Sequence, residues 1–244
     1  MTIISLHLPK TAGTSFGASL KAHFGDLYRE DYSDGGISVP ARERVRSAVS
    51  AGVVIAKQGL DGIDCVHGHF LPAKYLLLGT RRDLTFVTWM REPLARLLSH
   101  YHYWQESYDE RTAELHHRQV IEEKWTLEQF CLSEQFRNIY TQYLWGFPVE
   151  SFAFIGVSEH YQEDMLEFSE RFLSARLAPQ YLNPTKYISS GPRLDEAFLQ
   201  KVRDFHAIDV RLYQRALQWR EARHRGEHLH QPPNAIAPTA FKEA

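Results

Sequence analysis

Three groups of residues could hold an anion or move a proton. Residues 9–15 read Pro-Lys-Thr-Ala-Gly-Thr-Ser. Lys10 supplies a point charge, and Thr11, Thr14 and Ser15 supply hydroxyl donors. Ala12 and Gly13 let backbone N–H groups approach an anion. The set suits a phosphate or a sulfonate. It is not the G-x-x-x-x-G-K-[ST] motif, because Lys10 precedes Gly13. An ordinary strand-to-helix turn with a solvated lysine is the plainer alternative. Arg91, with Ser99 about two helical turns further on, could converge on a second phosphate, the guanidinium offering a planar fork. Arg96 is either a third ligand there or the partner of Glu92. His67 and His69 bracket Gly68, and a neutral imidazole can take a proton from an alcohol near pH 7. H-x-H is also half of a metal site, but no third ligand with the usual spacing is evident.

Elements must carry these groups to one place. Ile3 to Leu8 is a short apolar run directly before the loop, and Phe16, Leu20 and Phe24 recur after it at helical spacing. The pattern predicts strand, small-residue loop, helix. A second helix is expected over 41–51 with Val45, Ala48 and Val49 inward, then strands at 53–56 and near 63–66, the latter running into His67-Gly68-His69. Pro72 opens a short helix through Leu78, closed by Gly79. Leu84 to Met90 reads as a buried strand leading to Arg91, and Pro93 opens a helix with Leu94, Leu97, Leu98 and Tyr101 on one face. Residues 112–146 read as helical, with a capping box at Thr126 and Gln129 and Gly146 as C-cap. Phe152 to Val157 is a further strand, and Ser158 caps a helix to about Leu173. A loop over 177–192 and helices at 194–205 and 207–223 follow. From Gly226 the chain is a polar, proline-containing tail.

Strands alternating with helices give an α/β fold with a central, mainly parallel sheet and helices on both faces. With 244 residues and no clear linker or internal repeat, one domain over 1–225 is expected, with 226–244 as the tail. In open sheets of this kind ligands bind beyond the carboxyl ends of the strands, where all three residue groups fall.

Composition excludes several classes. Hydrophobic residues make up 43% and charged residues 24%, with a net charge of −2. That is ordinary globular chemistry, neither disordered nor collagen-like, and it argues against a nucleic-acid binder working by bulk charge. Cys65 and Cys131 are too few for a disulfide framework and read as two buried thiols. The N-terminus has no basic region followed by a sustained apolar run, and no window approaches the ~20 apolar residues of a membrane span. The expectation is a soluble, cytoplasmic protein. Its oligomeric state is not readable. Of its 13 histidines, His116, His117, His228 and His230 read as solvated.

Taken together, these residues resemble the 3′-phosphoadenosine-5′-phosphosulfate-dependent sulfotransferases, in the carbohydrate branch that includes heparan sulfate 2-O-sulfotransferase and related bacterial proteins. H-L-P-K-T-A-G-T-S-F, from His7 to Phe16, is similar to that family's 5′-phosphosulfate loop. F-V-T-W-M-R-E-P-L-A-R-L-L-S-H-Y, from Phe86 to Tyr101, is similar to its 3′-phosphate segment. Asn138 to Gly146, Phe154 to Glu159 and Asp209 to Tyr213 are similar to three further family segments, in family order. His67-Gly68-His69 is similar to the H-G-H of the 2-O-sulfotransferase branch. Ala12 departs from the family's frequent glycine.

The resemblance implies a P-loop NTPase-like three-layer fold. It further implies that Lys10, Thr11, Ala12, Gly13, Thr14 and Ser15 hold the donor's 5′-phosphosulfate, and that Arg91 and Ser99 hold its 3′-phosphate. His69, or less favourably His67, is the base toward a hydroxyl acceptor of carbohydrate type, and no metal is required. A small-molecule or nucleotide kinase with a variant phosphate loop, and a non-catalytic domain that binds a sulfated or phosphorylated glycan, are the alternatives. Tyr101 to Tyr108 is aromatic enough to stack on sugar rings, though packing is the commoner use. Arg111, Arg118 and Lys124 either meet an anionic polysaccharide or form a solvated face.

Overall fold

A computed structural model describes residues 1–78, 83–175, 177 and 195–227. Gly79, residues 178–192 of the loop expected over 177–192, residue 194 of the expected helix and residues 228–244 of the expected tail lie outside these residues. The described residues form a five-stranded parallel sheet in the order β2-β3-β1-β4-β5. The strands are β1 (Thr2–Leu6), β2 (Tyr28–Glu30), β3 (Cys65–Gly68), β4 (Leu84–Met90) and β5 (Phe154–Val157). The helices are α1 (Gly13–Phe24), α2 (Ala41–Gln58), α3 (Pro93–Ser107), α4 (Leu115–Glu122), α5 (Leu127–Cys131), α6 (Ile139–Tyr143), α7 (Tyr161–Phe172), α8 (Glu196–Phe205) and α9 (Ala207–His224). This is the expected α/β architecture, a parallel five-stranded sheet flanked by helices.

The period of two along each strand sorts side chains onto two faces. Ile3, Cys65, Val87 and Phe154 pack with Phe16 and Leu20 of α1 and Met165 and Phe168 of α7. Ile4, Val66, Phe86 and Ile155 pack with Ile139 and Tyr140 of α6 and Tyr213 and Ala216 of α9. A third core, around Trp104, Phe130, Phe136 and Val202, joins α3 to α4, α5 and α8. Both cysteines are free thiols buried in these cores, and burial pushes each well above an ordinary thiol pKa. No helix among the described residues is long and apolar enough to cross a membrane.

Four readings need correction. No strand forms at 53–56: α2 continues through it to Gln58. Its buried residues Arg44, Ala48 and Gly52 repeat every four, whereas Val49, Val53 and Val54 face solvent. Gly52 is no break, since any Cβ there would come within 2.9 Å of the Lys74 carbonyl; the position is small so that the 3-10 turn Pro72–Tyr75 can lie against α2. The region 112–146 is not one helix but α4, α5, a 3-10 turn and α6, although the Thr126–Gln129 capping box is present. Ser158 does not cap α7: its hydroxyl donates to the Met90 carbonyl at 3.1 Å, and α7 begins at Tyr161. His117 is buried rather than solvated.

Candidate functional site

The β1–α1 connection is shaped by two left-handed residues, Lys10 (φ 64°) and Ala12 (φ 65°). Thr11, between them, is fully buried and donates to the Leu8 carbonyl at 2.8 Å. α1 then starts at Gly13 with no acidic residue in its first turn, so its positive dipole end remains available to an anion. Pro9, Lys10 and Ala12 to Ser15 border a cavity of about 710 Å³. Arg91, Ser99 and His69 border the same cavity. Thr11 and His67 do not; both lie behind its wall.

Arg91 leaves the carboxyl end of β4, one strand over from the loop. Its Nη1 donates to the Lys10 carbonyl at 3.4 Å, and its backbone N–H donates to the Tyr140 hydroxyl at 3.0 Å. Glu92 caps α3 by accepting from Ala95 N–H at 2.7 Å. Arg96 therefore has neither expected role. It is fully buried, does not border this cavity, and its guanidinium lies 5.9 Å from the centre of the Tyr140 ring with no hydrogen bond to a described residue.

The two cations are poorly solvated. Burial, then the neighbouring Arg91, pulls Lys10 down to about 8, against an opposing pull from Glu106. Its ammonium lies 3.7 Å from the centre of the Tyr103 ring. Burial also lowers Arg91, with Glu159 opposing. Two desolvated cations beside a helix N-terminus favour a multiply charged anion.

The imidazoles form a pile. The parallel register sets Ser5 beside His67 and Leu6 beside Gly68, so His7 and His69 emerge as neighbours at the carboxyl edge. His7 stacks on His69 at 4.2 Å and on His67 at 5.2 Å. Gly13 and Gly17 make room for them: a Cβ at Gly13 would lie 1.9 Å from the His7 ring, and one at Gly17 2.6 Å from the His67 ring. His69 Nδ1 is bonded to the His7 carbonyl. A carbonyl can only accept, so Nδ1 carries the proton and Nε2 carries the lone pair. Burial lowers the pKa of His69, with the His7 carbonyl and Glu114 opposing. It is therefore neutral, as a base must be. His67 bonds through Nδ1 to the Ser5 hydroxyl at 2.8 Å and is driven by burial to about 3.

Sequence reading gave no role to His7, His100 and Glu114, which also border the cavity, as do Tyr103 and Trp104 of the stretch 101–108 offered for sugar rings. His7, directly after β1, depended on the parallel register that sets Leu6 beside Gly68. Tyr103 was legible as the next turn of the α3 face that bears Ser99. His100 and Glu114 needed the packing of α3 on α4. Elsewhere, Asp164, Glu167 and His224 stand close enough to share an ion, but Arg220 and Arg223 pair with the two carboxylates at 2.6 and 2.9 Å.

No family model and no curated protein matches the chain. Among solved structures it is similar to a sulfotransferase from Alicyclobacillus acidocaldarius, with 14% identity, a TM-score of 0.43, and coverage of 86% of this chain and 93% of that one.

Proposed function

We propose that the protein is a sulfotransferase, moving a sulfuryl group from 3′-phosphoadenosine-5′-phosphosulfate to a hydroxyl of a carbohydrate-type acceptor. The observation that carries the reading is one cavity bordered by Lys10, Arg91 and His69, whose Nδ1 is held by the His7 carbonyl. The donor supplies the sulfuryl group. The N-terminus of α1 and the hydroxyls of Thr14 and Ser15 hold the sulfonate and 5′-phosphate oxygens. Arg91 and Ser99 hold the 3′-phosphate. His69 Nε2 takes the acceptor's proton as the acceptor oxygen bonds to sulfur and the bond from sulfur to the bridging phosphate oxygen breaks. Lys10 meets the charge left on that phosphate. General-base help of this kind is worth ~10²–10⁴-fold in rate.

Incubation with isotopically labelled donor and a panel of oligosaccharides, followed by mass analysis, should yield a sulfated product. His69→Ala should lose most turnover while keeping affinity for 3′-phosphoadenosine-5′-phosphate; near-native turnover would remove His69 as the base. Equal calorimetric affinity for nucleotides with and without the 3′-phosphate would overturn the Arg91 and Ser99 roles. ATP turnover with magnesium and no use of the sulfonate donor would identify a kinase instead.

A further inference from the structure

The donor reading leaves part of the cavity wall unused. His100, Trp104 and Glu114 stand there, with Asp109, Tyr143 and Gly36. His100 is 6% exposed and packs edge-on to Trp104 at 4.4 Å. Its Nδ1 is buried with no hydrogen-bond partner among the described residues. His117 covers Trp104 in a stack at 4.8 Å and is bonded through Nε2 to the Trp104 carbonyl at 2.9 Å. His117 thus holds the Trp104 ring from behind, and His100, on the same wall, keeps a buried polar atom without a partner among the described residues.

Charge on this wall has one sign. Among the described residues that border the cavity, the cations are Lys10 and Arg91, and the donor reading uses both. The remaining charged groups are the carboxylates of Asp109, Glu114 and Glu159. Glu159 accepts from Glu92 N–H and from the Tyr213 hydroxyl, and Asp109 from Arg111 N–H and Thr112. Glu114 is different: it is exposed, its carboxylate lies against Gly36, and its charge is felt by both His69 and Tyr143. The basic residues suggested for an anionic polysaccharide do not border the cavity. Arg118 donates to the Glu110 carbonyl at 2.8 Å and pairs with Glu122.

We propose that Glu114 and His100 form an acceptor subsite beside His69 that selects an uncharged or ammonium-bearing saccharide and rejects polyanionic glycans. This rests on the sulfotransferase reading and narrows its substrate. A sugar carboxylate or sulfate brought to His69 would meet Glu114 as a like charge, whereas hydroxyls or an ammonium would find an acceptor there. An apolar sugar face fits the Trp104 platform.

Three tetrasaccharides of matched length test it: N-acetylated chitotetraose, its de-N-acetylated amine form, and heparosan tetrasaccharide with its carboxylates. Each is titrated calorimetrically with and without saturating 3′-phosphoadenosine-5′-phosphate, whose own binding is measured first. At least one of the neutral and amine tetramers should bind tenfold or more tightly than heparosan. Glu114→Gln should narrow that ratio at least threefold while leaving nucleotide affinity within twofold, and Glu114→Lys should invert it. Heparosan binding as tightly as the others, binding by none of the three, or a ratio indifferent to both Glu114 variants would overturn the proposal. A failed nucleotide titration counts against the sulfotransferase reading alone, because the saccharide preference is still read without nucleotide.

Discussion

At the scale of single residues, two titrations bound the working pH. His69 must be neutral to accept a proton, and its pKa lies below the ordinary imidazole value because of burial. The acid limb of kcat/KM should therefore fall below pH 6.5. Lys10 must be charged to meet the leaving phosphate, and burial with Arg91 brings it down to about 8. The basic limb of kcat/KM should stand near that value. The limb of kcat should lie higher, since a bound phosphate favours the charged lysine. Lys10→Arg should remove the basic limb whatever it costs in rate; a limb that persists would belong to another group. Ala12 offers a separate test. It holds φ 65° without being glycine, so Ala12→Gly should raise stability by about 0.5–1 kcal/mol, the left-handed strain relieved less the entropy added to the unfolded chain. Urea unfolding gives the sign directly. Gly13→Ala should do the reverse and displace His7.

At the scale of elements, the carboxyl edge is held by an ion cluster that brings residues 31–40 over the site. Lys74, with no exposed side-chain surface, sits 2.7 Å from Asp31 and 2.8 Å from Asp34. Asp34 also accepts from Leu71 N–H at 2.7 Å, and Tyr75 donates to Asp31 at 2.6 Å. Burial alone would raise the Asp31 carboxyl, but the Lys74 ammonium and the surrounding hydrogen bonds outweigh it and hold the pKa below the usual range. The segment so pinned sets Tyr32 edge-on to His69 at 5.2 Å. Lys74→Met would leave two buried carboxylates uncompensated and should cost about 3–5 kcal/mol; a loss under 1 kcal/mol in urea unfolding would show that the cluster relaxes. None of this was visible in the chain as text, because Lys74, Asp31 and Asp34 are ordinary surface types brought together by two loops. What was legible was the part with period and punctuation. The strand at 84–90, the helix opened by Pro93 and the Thr126 cap stand where expected. The β-branched run Val53-Val54-Ile55 misled because strand propensity yielded to the four-residue burial repeat of α2. β2 escaped notice because an edge strand of three residues has too little pattern to read. Of the site, the loop, Arg91, Ser99 and His69 were legible from residue type and position; His7, His100 and Glu114 depended on register and helix packing.

At the scale of the whole molecule, burying so many imidazoles makes stability depend on pH. Burial drives His7 and His100 well below the ordinary value, His67 to about 3 and His206 to about 4. Each pKa is lower in the folded chain than in the unfolded one. Between the two values the unfolded chain binds the proton that the native site refuses, so stability rises with pH across that window and is complete above about 6.5. At pH 5 His67 and His206 should each weaken the fold by about 2 kcal/mol, and His7 and His100 act in the same direction. Asp209 works the other way. Burial raises its carboxyl to about 6, so the native state keeps a proton that the unfolded chain releases, and about 1 kcal/mol is regained at pH 5. The imidazoles outnumber the carboxyl, so the net effect of acid on stability is a loss. Urea midpoints should therefore be flat from pH 8 to 7 and fall below 6.5. The slope should lessen in His206→Asn, which removes one titrating ring bonded to the Cys131 carbonyl at 2.7 Å. Equal midpoints at pH 5 and pH 7.5 would mean that the imidazoles are protonated in the folded chain.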